Sequence, residues 1–424
     1  MPAIVVAFAE AEAQRVRPIA LAAFEEARTR RWPFLSDVLE KALRGVPVED
    51  GAVIAAVVHA LVKYDRLLGF ASGRAEGGAR FDALLALMRR PSDVDARLAA
   101  IAPRAERLGV TYSMPDALVK LIEEDVGADA LEPCLARMNE APPRVARVNR
   151  LKIGREACLE ALADEGVTAT GTSAARDGIV IGGRASPFRT EVFARGEIEI
   201  QDEASQMVAE LVAPPPGSTT IDACAGAGGK TLGLAALLGG KGRVVALDVS
   251  ASKLDELRRR ARRAGASNVQ ALEADLLAPG EALEKLRGTA DRVLVDAPCT
   301  GLGAIRRNPE LRWRIMPDGI PGLVEAQAAL LRAASALVAP RGRVVYATCS
   351  FLRREGEAVF ERFLAEDPRF GSVTARDVLG RARTDRIATA NGRYLRTWRF
   401  DGTPDGGDAG MDGFFAGVAR LVGA

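Results

Sequence analysis

Histidine is almost absent from these 424 residues, with His59 the single example. A Ser-His-Asp triad or a His-rich metal site would have to run through that residue. It lies in the apolar, helix-like run VIAAVVHALV, where it reads as a packing residue, and no bound metal is expected. The five cysteines, Cys134, Cys158, Cys224, Cys299 and Cys349, contain no C-x-x-C pair and are odd in number. That pattern disfavours a disulfide framework and predicts free thiols. Long hydrophobic runs are also missing. The longest near-apolar stretch, Val53 to Val62, is about half of the roughly 20 residues a membrane span takes. The opening MPAIVVAFAEAEAQ lacks a basic start and turns acidic at once, so it does not read as a secretory signal, and a cytoplasmic location is expected. Nor does one sign of charge dominate: 58 basic residues face 56 acidic ones, a formal net charge of +2 that neither demands nor excludes a nucleic-acid partner.

What is present is an ordinary globular composition, 48% hydrophobic and 27% charged, at a length that predicts two to three domains. Residues 1–125 show helical apolar spacing broken by Gly, Pro and Arg-rich turns, as in GAVIAAVVHALVKYDRLLG and FDALLALMRR, and predict an all-helical domain. Residues 126–208 mix helices with short strand-like pieces, RVARVNRLKI, GIVIGG and RGEIEIQ, and predict a small α/β domain. Pro214 to Pro216 mark a break. Across residues 209–424 strand, turn and helix then recur: TTIDAC, GRVVALD, NVQALEAD, DRVLVDAPC and GRVVYATCS alternate with helical stretches, which predicts a doubly wound parallel α/β sheet. RYLRTWRF and GFFAGVARL, joined by an Asp/Gly-rich loop, read as a closing antiparallel hairpin.

In such a sheet ligands bind beyond the carboxyl ends of the strands. Asp222, Cys224, Asp248, Asp275, Asp296, Cys299 and Cys349 all fall there and should converge on one cleft. The loop DACAGAGGKT places Gly226, Gly228 and Gly229 between strand and helix, where backbone N–H groups can approach a ligand. It is not a P-loop, because Cys224 stands where the first glycine of G-x-x-x-x-G-K-T belongs. Asp248 stands where an acid would bind a ribose diol; its bland reading is a helix cap with Ser250 and Ser252. Cys299 and Cys349 lie in polar turns beside Thr300, Thr348 and Ser350 rather than within the strands, where a thiolate could act.

DACAGAGGKT, VVALDVSASKL, EADLL, DAPCTGLGAIRRNPELRWR and YATCSFLRREGE, with RVNRLK and QDEASQMV upstream and MDGFFA near the end, resemble in collinear order the RsmB/Sun (Fmu) family of S-adenosylmethionine-dependent RNA cytosine-C5 methyltransferases. The resemblance spans roughly Pro115 to Leu421. It implies a Rossmann-like class I methyltransferase sheet over 209–424, an RRM-like domain over 126–208 and a NusB-like RNA-binding domain over 1–125. It also implies that Cys349 is the nucleophile, that Cys299 assists product release, and that Asp296 holds the base, with Lys230 bridging donor and acid or else merely lying on a helix N-terminus. S-adenosyl-L-methionine would be held by Cys224, Ala225, Gly226, Ala227, Gly228, Gly229 and Lys230 at its methionine end, with Asp248 at the ribose, Asp275 at the adenine and Asp296 lining the site.

Where the family loop carries proline, this chain has Ala227, and Glu355 is followed by Gly356 rather than by Glu or Asn. The expected partner is RNA, ribosomal RNA first, with transfer RNA or a non-catalytic RNA-binding or assembly role as alternatives. A monomer is expected. Between Ala251 and Arg314 there are 13 basic and 9 acidic residues, so Arg306, Arg307, Arg312, Arg314, the Arg258 to Arg263 helix and RVNRLK are the candidate phosphate contacts. The helix has a solvated-face reading as well.

Overall fold

The computed structural model describes residues 4, 6–183, 186–385, 387–398 and 410–423. The chain divides into two units, one formed by residues through Ala141 together with Thr300–Ile320, the other by most of the remainder.

The first unit is helical. Its longest helices are Glu10–Thr29, Val48–Ser72 and Gly77–Arg89. The first buries Ala13, Val16, Ala20, Ala23, Phe24 and Ala27, a stripe at three- and four-residue spacing, and begins with Glu10 and Glu12, which suit the positive end of the helix dipole. Val48–Ser72 buries Ile54, Val57, Val58, Leu61, Val62, Leu67 and Leu68 against it and stops at Gly73, whose φ of 65° is left-handed. Among the described residues no helix is long and apolar enough to cross a membrane. His59 lies on this helix, where burial and then the Lys63 charge hold its imidazole down at about 4, hence neutral.

The segment Thr300–Ile320 completes this helical unit from far along the sequence. Arg312 is fully buried. Its Nη1 donates to the Lys63 carbonyl and to Asn139 Oδ1, each at 2.9 Å, and its Nε to the Pro309 carbonyl at 3.1 Å. Trp313 Nε1 donates to the Val62 carbonyl at 2.8 Å, and its ring stacks on Trp32 at 5.8 Å. Ser113 Oγ accepts from the Arg66 and Leu67 amides. Val62, Lys63, Arg66 and Leu67 are the residues whose backbone groups would pair with one another in a regular helix, so side chains from elsewhere engage the ladder at this point. Arg306 is likewise interior, with its guanidinium facing Glu140. The expectation that Arg306 and Arg312 face RNA is therefore corrected: both are structural groups of the helical unit, while Arg314 is exposed over the Phe34 ring.

The second unit holds two sheets. The smaller is antiparallel, built from β1 (Arg144–Val148), β2 (Ala169–Gly171), β3 (Gly178–Ile181) and β4 (Ile198–Ile200) in the order β2-β3-β1-β4. RVNRLK is split by it. Arg147 and Asn149 are buried, Asn149 donating to the carbonyls of Gly196 and Ala264 at 2.8 Å each, and only Arg150 and Lys152 of its polar residues reach the surface.

The larger sheet contains β5 (Thr219–Asp222), β6 (Arg243–Asp248), β7 (Val269–Glu273), β8 (Ala290–Asp296), β9 (Val338–Thr348), β10 (Phe370–Val373), β11 (Leu395–Arg396) and β12 (Phe415–Leu421), ordered β10-β12-β9-β8-β5-β6-β7 with β11 paired to β12. Strands β5 to β9 pair with one another in parallel, as their apolar runs predict, and β12 is antiparallel to β9, β10 and β11. The expected hairpin is thus present as β11 and β12, with β12 inserted between β9 and β10; its Asp/Gly-rich loop lies outside the described residues. A doubly wound parallel sheet whose last long strand returns antiparallel is the Rossmann-like methyltransferase arrangement. Its order reverses at β5, which pairs with β6 on one side and β8 on the other, so a crevice opens at the carboxyl end of β5.

Replacing Arg312 by Ala would leave the Lys63 carbonyl and Asn139 Oδ1 without their donor, at about 1–3 kcal/mol per buried group. In the full chain, hydrogen exchange within Val48–Ser72 should accelerate by roughly 10²-fold. Arg312→Lys, which keeps the charge but loses the planar fork, should restore less than half of the lost protection.

Candidate active site

β5 ends at Asp222, and the chain then turns through Ala223–Gly228 into the helix Gly229–Leu237. The turn requires its glycines. Gly226 has φ 53° and Gly228 φ 88°; a Cβ on Gly228 would come within 2.6 Å of Leu257 Cγ, whereas one on Gly226 would project into open space. The loop is anchored by the Ala225 amide donating to the Leu247 carbonyl and by Arg260 Nη1 donating to the Ala227 carbonyl, each at 2.8 Å. The position where the family carries proline is therefore held by an arginine through its backbone oxygen.

Asp248, at the end of β6, accepts from the Gly226 amide at 2.8 Å with one carboxylate oxygen and from the Ser250 amide at 2.9 Å with the other. It thus ties the glycine loop to the next strand, and Ser250 itself caps the following helix by accepting from Lys253. The helix cap is thus Ser250 rather than Asp248, whose carboxylate bridges the glycine loop and the turn after β6. Asp275 lies two residues past β7, exposed, and accepts from the Leu277 amide at 2.8 Å.

Lys230, in the first turn of Gly229–Leu237, is buried, and its Nζ lies 2.6 Å from Asp296 Oδ2 at the end of β8 and 5.0 Å above the Phe414 ring. Burial works against its ammonium, yet the charge of Asp296 and the hydrogen bond to it outweigh that effect and hold the pKa above the ordinary lysine value. Lys230 is not a surface lysine. Asp222 is nearby, accepting from Thr231 Oγ1 at 2.7 Å; burial pushes its carboxyl up to about 7, the Thr231 hydrogen bond opposing and the Asp296 charge adding to the shift. Cys224 is half-buried, and burial with the surrounding Asp222, Asp296 and Asp248 charges raises its pKa and holds it as a thiol.

Cys299, three residues past β8, and Cys349, one residue past β9, meet. Their sulfurs are 3.3 Å apart, neither forms a disulfide and both are partly exposed. Cys134 and Cys158 are buried elsewhere as packing residues. One side of the crevice thus carries a glycine cradle open above Gly226, and the adjoining strand ends carry a paired carboxylate and two touching thiols.

The family described as 16S rRNA methyltransferase RsmB/F matches residues 209–416, and the RsmF/B-like ferredoxin-like domain matches residues 114–186. The chain belongs to the RsmB/F methyltransferase family. Among RsmB/F relatives, a protein of Synechocystis sp. named probable ribosomal RNA small subunit methyltransferase B is 37% identical over 260 residues, covering 61% of this chain and 58% of that protein. A Bacillus subtilis protein of the same name is 36% identical over 272 residues, covering 64% and 60% respectively. The chain therefore spans less than two thirds of the length of these relatives. A solved Pyrococcus horikoshii structure titled a methyltransferase homolog protein is 25% identical, with a TM-score of 0.62 over 76% of this chain and 99% of that one.

In this RsmB/F chain the arginine-rich helix is largely committed internally. Arg260 and Arg263 both pair with buried Glu199, Arg258 pairs with Asp255 and Arg259 with Glu256, so the solvated-face reading fits better than a phosphate-binding run. No motif assigns a role to three residues next to the thiols, Gln327, Glu355 and Ser350, all fully buried. A trace of Gln327 is visible in EAQAALL, as an amide interrupting an Ala/Leu stripe.

Asp222 yields a pH prediction. Its folded-state pKa of about 7 exceeds the unfolded value of about 4, so its stabilising contribution is full below pH 4 and is lost as pH rises to about 7. Asp222→Asn stays neutral throughout. Its melting temperature without ligand should match the parent's near pH 4, exceed it by a growing margin up to about pH 7, and hold that margin above; a constant margin across the range would contradict the shift.

Proposed function

We propose that this chain is an S-adenosylmethionine-dependent RNA (cytosine-C5) methyltransferase acting on ribosomal RNA, in the cytoplasm and as a monomer. The observation that carries the reading is the contact of the Cys299 and Cys349 sulfurs at 3.3 Å beside the Lys230–Asp296 pair. The names of the Synechocystis and Bacillus subtilis relatives support ribosomal RNA as the substrate class.

Cytosine C5 is a poor nucleophile until something adds at C6. In this reading the Cys349 thiolate adds there: the S–C6 bond forms and the C5–C6 electron pair shifts to C5, with charge spread toward ring N3. The proton given up by the Cys349 thiol passes to the Asp296 carboxyl, which Lys230 holds in place; from there it is donated to N3 and neutralises the charge that develops. S-adenosylmethionine, when bound, supplies an electrophilic methyl group on its sulfonium. The open cradle over Gly226 fits its methionine end, held by Cys224, Ala225, Gly226, Ala227, Gly228, Gly229 and Lys230, with Asp248 at the ribose and Asp275 at the adenine. After methylation the C5 proton must leave so that the electron pair can re-form C5–C6 and expel the Cys349 sulfur. Cys299, in contact with that sulfur, assists this elimination by taking the C5 proton on its thiolate. Arg150, Lys152, Arg262, Arg307 and Arg314, together with the helical region 1–125 and the α/β region 126–208, are assigned to RNA contact.

Cys349→Ala should abolish 5-methylcytosine formation by on the order of 10⁴-fold or more, read by mapping the base in RNA from cells carrying parent or variant; an undiminished rate would remove Cys349 as nucleophile. Cys299→Ala should accumulate a covalent protein–RNA adduct, seen as a shifted band on a denaturing gel, and a gel without that band would remove its role in release. Calorimetry with S-adenosylmethionine should show binding by the parent chain that Asp248→Ala weakens by about tenfold or more.

A further inference from the structure

Neighbouring parallel strands lie about 4.8 Å apart and bring two side chains near one another, but they do not hold two sulfurs in contact several residues beyond the ladder. The β8–β9 pairing runs to Asp296 opposite Ala347, with one more hydrogen bond from the Ala297 amide to the Ala347 carbonyl at 2.9 Å. Cys299 then lies three residues further along its own loop and Cys349 two residues past Ala347 on the other.

A buried chain of hydrogen bonds joins these loops from beneath. Gln327, on the helix Ile320–Ser335, donates from Nε2 to the Pro298 carbonyl and to Glu355 Oε1, each at 3.0 Å. Glu355 Oε2 accepts from Ser350 Oγ at 2.6 Å, and the Glu355 backbone carbonyl accepts from the Tyr346 hydroxyl at 2.7 Å. Ser350 Oγ in turn accepts from the Leu352 amide at 3.2 Å. The two ends of the chain are Pro298, immediately before Cys299, and Ser350, immediately after Cys349. Both hydrogens of the Gln327 amide are used, which fixes its orientation.

An interior carboxyl group is an expensive way to fill space, since apolar residues of equal volume stabilise a fold at least as well. Its geometric demands are the compensating property: a carboxylate accepting from two donors of fixed position specifies separations more tightly than packing does. We infer that Gln327 and Glu355 are positioning residues that set the Cys299–Cys349 separation, acting through the Pro298 carbonyl and the Ser350 hydroxyl and touching neither RNA nor donor. The inference rests on the proposed methyl transfer for its catalytic consequence but not for its geometric one.

Gln327→Leu keeps the volume and removes both donors. The full chain, parent and variant, is equilibrated in graded mixtures of reduced and oxidised glutathione. There the two thiols and one glutathione disulfide exchange to a Cys299–Cys349 disulfide and two reduced glutathiones, so the equilibrium reads how often the sulfurs meet. Gln327→Leu should lower that equilibrium constant about tenfold or more. It should also reduce kcat for RNA methylation by roughly 10²-fold while KM for RNA stays within about twofold. Glu355→Gln alone, which retains hydrogen-bonding groups on both sides, should keep most of the parent's thiol equilibrium and kcat. If Gln327→Leu does not fold, Ser350→Ala breaks the same chain at its other end and should show the same pair of losses at smaller size. Folded variants with the parent's thiol equilibrium overturn the inference even if methylation is active; a shifted equilibrium in a chain that never methylates RNA upholds the clamp and overturns the proposed function instead.

Discussion

The parallel pairing of β8 with both β5 and β9 governs the chemistry of this chain. Three strands running side by side in one direction release their following residues at a common edge, whatever the sequence distance between them. Asp222 and the glycine loop leave β5, Asp296 and Cys299 leave β8, and Cys349 leaves β9. The register does more than bring them near. Asp296 sits level with Ala347, so the carboxylate precedes both thiols along the crevice wall, and the helix following β5 delivers Lys230 to that carboxylate from the opposite flank. An ionic contact between the end of one strand and the helix after its neighbour fixes a group that would otherwise rotate freely at a surface.

Much of this could be read from the chain beforehand, for a physical reason. Residues at strand ends follow directly on runs such as RVLVD and RVVYAT, whose β-branched and apolar content declares the strand, so Asp296, Cys299 and Cys349 are placed once the strand is. Short elements escaped: β2 has three residues, and β10 reads FGSV, with a glycine where side-chain packing would have announced it. Arginines are the residues whose placement the sequence does not reveal. A guanidinium at the surface and one in the interior look alike in sequence, because what separates them is whether acceptors converge from elsewhere. Arg312 finds Lys63 and Asn139 across more than a hundred residues, and Arg260 and Arg263 find Glu199.

Gln327, Glu355 and Ser350 mark the same boundary from the other side. Ser350 and Glu355 lie inside YATCSFLRREGE, yet their place in it implies no chemical role, and their significance, like that of Gln327, arises only when a helix, a turn and a loop close on one another. Polar groups under an active crevice differ in this from the crevice residues themselves, which carry a recognisable functional group at a recognisable place. Lys230 is intermediate: the glycine loop located it, but its burial and its partner came from the fold.

The insertion of Thr300–Ile320 into the helical unit bears on how the protein is made. A domain emerging from the ribosome usually packs as soon as its own stretch is out. Here the first unit cannot seat Arg312 and Trp313 until about 180 further residues have been added after Ala141, roughly 9–36 s at ordinary elongation rates. Throughout that interval Trp32 lacks the Trp313 ring and the carbonyls of Val62 and Lys63 lack their side-chain donors, so the nascent N-terminal helices stay incompletely covered until the inserted segment arrives.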